Sequence, residues 1–192
     1  MDLTTMKDAC ATTEPVVAGI AANQLSLATP CTEWDVRALL NHLLGTLSLG
    51  AGLLADRPPA VAMAPGGLPV DDLVDAAPGG DLAAAYRHGV DALLAAGGGD
   101  AFQRVHHTPL GDMPGVALAG FTTLDILVHG WDLAVATGQQ HGIDDRLAED
   151  VLAFAQQTIT EQTRTSRIGP EVAVSPDAAA VDRLMGFLGR RP

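Results

Sequence analysis

Asp125 and His129 stand four residues apart in Thr123-Leu124-Asp125-Ile126-Leu127-Val128-His129-Gly130-Trp131-Asp132, a stretch that otherwise reads as a buried helix. Residues four apart share a helix face. With about 100° of rotation per residue, the pair falls on one arc with Phe121, Leu124, Val128 and Asp132, an arc too apolar for a solvent face. A buried carboxylate or imidazole is costly unless it is paired, hydrogen-bonded or bound to a metal. The pair therefore belongs to a buried hydrogen-bond network or to a metal site. His42 lies on another predicted helix, about 60° around the axis from Leu39, at the edge of an apolar stripe from which it reaches a crevice. Two imidazoles and one carboxylate leave a coordination position open, the pattern of a ligand-accepting metal site and not of a closed structural one. The donor set suits Zn²⁺, and also Ni²⁺, Fe²⁺ or Mn²⁺. Asp132, three residues beyond His129 on the inward arc, is spaced to orient an imidazole from behind, as carboxylates commonly do for metal-bound histidines. An open metal lowers the pKa of bound water or holds a thiolate as nucleophile. Periodicity alone leaves the metal-free network standing beside this reading.

The remaining chemistry-bearing residues read more plainly. His88, beside Arg87, is expected to be solvated; His106 and His107 fall in an extended stretch and are expected at the surface, as is His141 in the Gly138–Gly142 turn. Trp131 and Trp34 read as packing residues, Trp34 anchoring a helix start. Cys10 and Cys31 form no C-x-x-C pair and read as buried free thiols. Cys31 lies near a helix N-terminus, where the dipole lowers a thiol pKa. No G-x-S-x-G elbow, G-x-x-x-x-G-K loop or G-x-G-x-x-G turn occurs.

The elements that must position these residues are helical. The pattern predicts helices over Thr5–Leu27, from Glu33 (with Thr32 as N-cap) to Leu54, over Asp81–Ala96, from Val116 to the Gly138 stop, from Asp144 or Asp145 to about Arg164, and over Asp177–Leu188. Arg57 to Gly80 is rich in Pro and Gly and reads as a long crossover, with a helical turn near Asp71–Asp75, shaping an electrophile pocket. Phe102–Thr108 and the residues after Gly111 read as extended, forming a short hairpin or an irregular loop. Such elements make an all-α bundle whose site lies between facing helices.

The chain has 192 residues, of which 47% are hydrophobic and only 4% aromatic, so Ala, Leu and Val are its packing material. That suits one domain able to bury a core. A net charge of −12 makes nucleic acid and anionic membrane poor partners. MDLTTMKDAC is not a signal peptide, and no long apolar run spans a membrane. A reducing cytoplasm is the expected location.

Thr29-Pro30-Cys31-Thr32-Glu33-Trp34-Asp35-Val36-Arg37 with Asn41-His42-Leu43 resembles a T-P-C-x-x-W-D-V-R…H signature. Asp125-x-x-x-His129-Gly130-Trp131-Asp132-Leu133-Ala134 resembles a second signature of the same family, and Gly169-Pro170-Glu171-Val172 through Asp182-Arg183-Leu184 to Leu188-Gly189-Arg190 resembles its ending. The family is that of DinB-like metal-binding proteins related to the N-terminal domain of mycothiol-dependent maleylpyruvate isomerase. The resemblance covers residues 1–192 as one such domain. It implies a DinB-like four-helix bundle with a long crossover and an extra short C-terminal helix. It implies a divalent metal, zinc first, on His42, Asp125 and His129, and mycothiol as cosubstrate. The implied partners are a small-molecule thiol and an electrophile, and the implied activity is a thiol-dependent S-transferase or isomerase. The rival is a non-catalytic metal-binding or interaction module, with a homodimer as one form. The isomerase carries glutamate where Asp125 stands; aspartate is one methylene shorter, so the metal is expected closer to that helix or bridged by water. The isomerase's additional C-terminal domain has no counterpart here, so maleylpyruvate itself is not the expected substrate.

Overall fold

Asp2, Asp35, Asp81 and Asp144 each accept a hydrogen bond from a backbone N–H three residues on, and each starts a helix. Such caps satisfy first-turn donors that have no partner within the helix. The computed structural model describes residues 1–64, 67–108, 111–161, 164 and 168–192. In them the helices are α1 (Leu3–Ala18), α2 (Val36–Leu54), α3 (Leu82–Ala96), α4 (Gly115–Thr137), α5 (Asp145–Thr158) and α6 (Ala180–Phe187). An antiparallel hairpin, β1 (Val105–Thr108) and β2 (Gly111–Pro114), joins α3 to α4.

Several boundaries differ from those expected. α1 stops at Gly19, and Ala22–Gln24 forms a separate 3-10 turn. α2 starts at Val36 because Asp35, not Thr32, is its N-cap, accepting from the Ala38 N–H at 2.8 Å. α5 ends at Thr158, well before Arg164, and α6 starts three residues after Asp177. α4 ends where expected, on Gly138 in the left-handed conformation (φ 72°). Pro65 and Gly66 of the expected crossover lie outside the described residues. The helical turn expected near Asp71–Asp75 is present, closed by the Ala76 N–H donating to the Asp72 carbonyl.

α1 packs on α3 and α4, and α2 packs on the same two, so the four helices form a square with α1 and α2 on one diagonal. The contacts set their directions. Leu47 meets Gly89 and Gly50 meets Leu93, so α2 and α3 run parallel. His42 reaches Asp125 while Gly50 meets Thr122, so α2 and α4 run antiparallel. Tyr86 donates to the Cys10 carbonyl and Gly97 meets Leu3, so α1 and α3 are antiparallel. Two parallel neighbours in sequence require a long return connection, supplied by residues 55–81.

The core is aliphatic, with Leu39, Leu40, Leu43 and Leu47 of α2 and Ile126, Leu127 and Leu133 of α4 fully buried. α4 is buried nearly all round, as a central helix with apolar residues on every side must be. Gly130 permits its contact with α1: a Cβ there would stand 2.4 Å from Thr13 Oγ1, and Thr13 donates to the Ile126 carbonyl at 3.3 Å. Phe121, assigned to the inward arc, is instead 40% exposed and stacks edge-on with Phe154 of α5. His106 is not at the surface. It is fully buried, with Nδ1 2.7 Å from Asp56 Oδ1 and Nε2 2.7 Å from the Ala101 carbonyl, and so ties the hairpin to the end of α2. α5 and α6 pack together, with α5 against α4 and α1.

Candidate metal centre

The turn before α2 explains the Thr-Pro-Cys-x-x-Trp-Asp pattern residue by residue. Thr29 Oγ1 accepts from the Cys31 N–H at 3.1 Å and donates to the Trp34 carbonyl at 2.7 Å, knotting the turn. Trp34 N–H donates to the Cys31 carbonyl, and Asp35 then caps α2. This knot sets the Trp34 ring against His42, with centroids 4.5 Å apart. Asn41, the neighbour of His42, docks the crossover: its Oδ1 accepts from the Leu73 and Val74 N–H groups and its Nδ2 donates to Asp72. Arg37 ion-pairs with Asp72 and Asp75. The crossover held there returns a carbonyl, that of Gly67, to His42 Nδ1.

His42 of α2 meets Asp125 and His129 of α4, with one donor atom from each of the three within 4.8 Å of the others. His42 Nε2 lies 2.9 Å from Asp125 Oδ2, and His129 Nε2 lies 3.1 Å from Asp125 Oδ1. The short aspartate therefore reaches both imidazoles directly. Thr46 Oγ1, one turn beyond His42, donates to Asp125 Oδ2 at 2.8 Å. Asp132 lies behind His129, its Oδ2 3.1 Å from His129 Nδ1. Arg190 closes the network from the end of the chain, donating from Nη2 to Asp132 Oδ2 at 2.9 Å and from Nη1 to the Leu188 carbonyl. Gly189 at φ 82° makes the turn that delivers Arg190, and a Cβ there would meet the Ile168 carbonyl oxygen at 2.3 Å.

The tautomers follow from the partners. A carbonyl oxygen only accepts, and so does an ionised carboxylate. His42 and His129 must each use Nδ1 as the N–H donor, toward Gly67 and Asp132. Each Nε2 then presents a lone pair to Asp125, and an acceptor facing an acceptor at 2.9 to 3.1 Å requires a cation between them, a proton or a metal ion. The donor set, two imidazole nitrogens and a carboxylate with both imidazoles fixed from behind, fits a divalent metal.

Electrostatics reinforce that requirement. Burial pushes the Asp125 carboxyl up, but the flanking His42 and His129 outweigh it and hold the group well below the usual carboxylate range. Burial pulls the His129 imidazolium down, while Asp125 and then Asp132 raise it further, to about 9. Burial likewise opposes the charge of Asp132, and the hydrogen bonds from His129 and Arg190 keep its carboxyl low. Cys31 lies beside this network, its sulfur within 4.8 Å of donor atoms of His129 and Asp132. Burial, then the Asp132 carboxylate, pushes its thiol up to about 11, the reverse of the lowering expected from a helix dipole.

Trp131 is buried in the core. His88 and His107 are exposed, and His141 is half-buried, accepting from the Ile143 N–H. The site residues that sequence reasoning missed are Thr46, the stacking role of Trp34, Asn41 and Arg190. Thr46 carried a usable signal, its i,i+4 spacing from His42. Arg190 stands in the family-like ending but carried no local signal of this contact, which spans 58 residues of chain.

Residues 6–134 match the family model described as the mycothiol maleylpyruvate isomerase N-terminal domain. Uncharacterized proteins from two strains of Mycobacterium tuberculosis are 34% identical over 177 residues, covering 91% of this chain and 90% of theirs. The crystal structure of the mycothiol-dependent maleylpyruvate isomerase superposes with a TM-score of 0.57 at 16% identity, over 79% of this chain and 66% of that one. A histidine-to-alanine mutant of that isomerase matches equally. The chain spans just under two thirds of the isomerase, and the likeness identifies the DinB-like four-helix bundle. The match over residues 6–134 and the full-length relatives place the chain in the mycothiol maleylpyruvate isomerase N-terminal domain family.

Proposed function

We propose that His42, Asp125 and His129 hold a divalent metal, zinc first with nickel, iron or manganese as alternatives, and that the protein uses it in a mycothiol-dependent S-transferase or isomerase reaction. The observation that carries the reading is the convergence of two Nδ1-donating imidazoles on one carboxylate. A divalent metal at that point supplies a Lewis-acid site favouring the thiolate of a bound thiol. Gly67 and Asp132 hold the two Nε2 lone pairs toward the donor position. Thr46 fixes one oxygen of Asp125, and Arg190 keeps Asp132 ionised. The Asp125 side chain is 34% exposed while those of His42 and His129 are 11% and 8%, so small molecules approach from the Asp125 side. Residues 1–192 act as one domain in this reading. Its partners are a small-molecule thiol and an electrophile, and its setting is the reducing cytoplasm, in keeping with Cys10 and Cys31 as free, buried thiols.

Zinc-reconstituted protein given mycothiol and a chromogenic electrophile tests the activity. Thiol consumption that stops on chelation and in Asp125→Asn, with helicity retained, is the expected result. Stoichiometric metal without thiol turnover would assign the chain to the non-catalytic metal-binding or interaction module instead.

A further inference from the structure

On the side of α2 opposite His42 and Thr46, the crossover roofs the groove between the parallel helices α2 and α3. It leaves a cavity of about 1070 Å³, open to solvent where Arg57, His88 and Ala92 are exposed and slightly larger than most small-molecule sites. No residue of the His42–Asp125–His129 cluster borders it. Leu44 and Ala51 of α2, Leu73 and Ala77 of the crossover, and Ala85 and Ala92 of α3 form its wall. Of the α3 alanines, Ala84 and Ala85 are half-buried and Ala92 and Ala95 exposed, so hydrocarbon surface stands uncovered where a filled core would interdigitate.

The polar groups at this wall are few. Ser48 Oγ is engaged by the Val61 N–H, and Arg104 by Asp56 and Asp100. Arg57 and His88 also line the cavity, and their side chains have no hydrogen-bond or ion-pair partner among the described residues. In a chain of net charge −12, the exposed Arg57 guanidinium at the mouth of an apolar cavity is a local reversal of sign. It complements one anionic head group attached to hydrocarbon. A sugar or nucleotide requires many convergent donors and acceptors, which this wall lacks.

We infer that the cavity binds an amphipathic monocarboxylate of fatty-acid type, its chain along the alanine and leucine wall and its carboxylate on Arg57, with His88 as a second donor. This site stands apart from the proposed metal centre.

Displacement of a fluorescent polyene fatty acid from the purified protein tests it, with dodecanoate and dodecanol as competitors. Dodecanoate is expected to displace one equivalent of probe, with dodecanol about fivefold weaker, the size of a solvent-exposed ion pair. Arg57→Gln is expected to bring dodecanoate to the level of the alcohol and leave dodecanol unchanged. Ala92→Trp and, independently, Ala76→Phe fill the cavity from α3 and from the crossover, and each is expected to abolish binding of both competitors. Helicity by circular dichroism and metal content, measured alongside, separate failure of this site from failure of the fold or of the metal centre. No displacement from the wild type, binding that survives both filling variants, or dodecanoate binding indifferent to Arg57→Gln would overturn the assignment.

Discussion

At the scale of single residues, each imidazole is fixed by what stands behind it, and each faces Asp125 with the nitrogen left over. Without metal, the His129 imidazolium persists up to about pH 9. A metal must displace that proton, so affinity should rise at least about tenfold per pH unit below 9, the slope that loss of this one proton sets. Zinc titration against a chelating dye at several pH values checks this, and a flat profile would remove His129 from the ligand set. The same shift affects folding. A folded-state value near 9 against 6.5 for the unligated group means stability that is full below pH 6.5 and lost as pH rises through about 9. The metal-free protein should therefore lose Tm across that window more steeply than the metal-loaded one. Behind His129, Asp132→Asn should weaken metal binding by about 10- to 100-fold. Arg190→Met leaves the buried Asp132 charge with His129 as its remaining partner and should cost up to about 3 kcal/mol in denaturant unfolding. An unchanged Cm would show that the tail does not support the site.

At the scale of elements, the helices were legible where apolar period and punctuation agreed, as in α4 with its Gly138 stop. They were misjudged where a turn imitates a helix start. Thr32-x-x-Asp35 has the spacing of a cap, yet Thr29 ties the preceding turn so that the first helical N–H groups belong to Asp35. Asp35→Ala should cost about 1 kcal/mol and Thr32→Ala almost nothing, by urea denaturation; the reverse order would restore the earlier boundary. The i,i+4 spacing showed that Asp125 and His129 share a face, and the stripe-edge position of His42 made it a candidate partner, which the resemblance then strengthened. His106 was misplaced because the Asp56 and Ala101 oxygens that satisfy it lie 50 and 5 residues away, invisible to local pattern. Gly130 marks the element contact nearest the site. Gly130→Ala should cost about 1–3 kcal/mol through overlap with Thr13, recovered in part by Thr13→Gly, again by denaturation.

At the scale of the whole molecule, the parallel pair α2 and α3 requires a long connection, and that connection serves two faces of α2. It returns the Gly67 carbonyl to His42 on one side and roofs an apolar cavity on the other. Helix content and a bundle with one crossover were legible from apolar period and Pro/Gly composition. The square arrangement of the helices and the return of Arg190 to Asp132 were not, because both depend on contacts between distant segments. The central claim is that the cation between the two Nε2 atoms and Asp125 is a metal. It is tested most directly by elemental analysis of untagged protein, wild type and His129→Ala side by side. About one equivalent of a divalent metal in the wild type, lost in the variant while helicity is kept, is the predicted result. Metal in neither protein, even after reconstitution, would contradict the account and leave protons as the cations of a buried polar network.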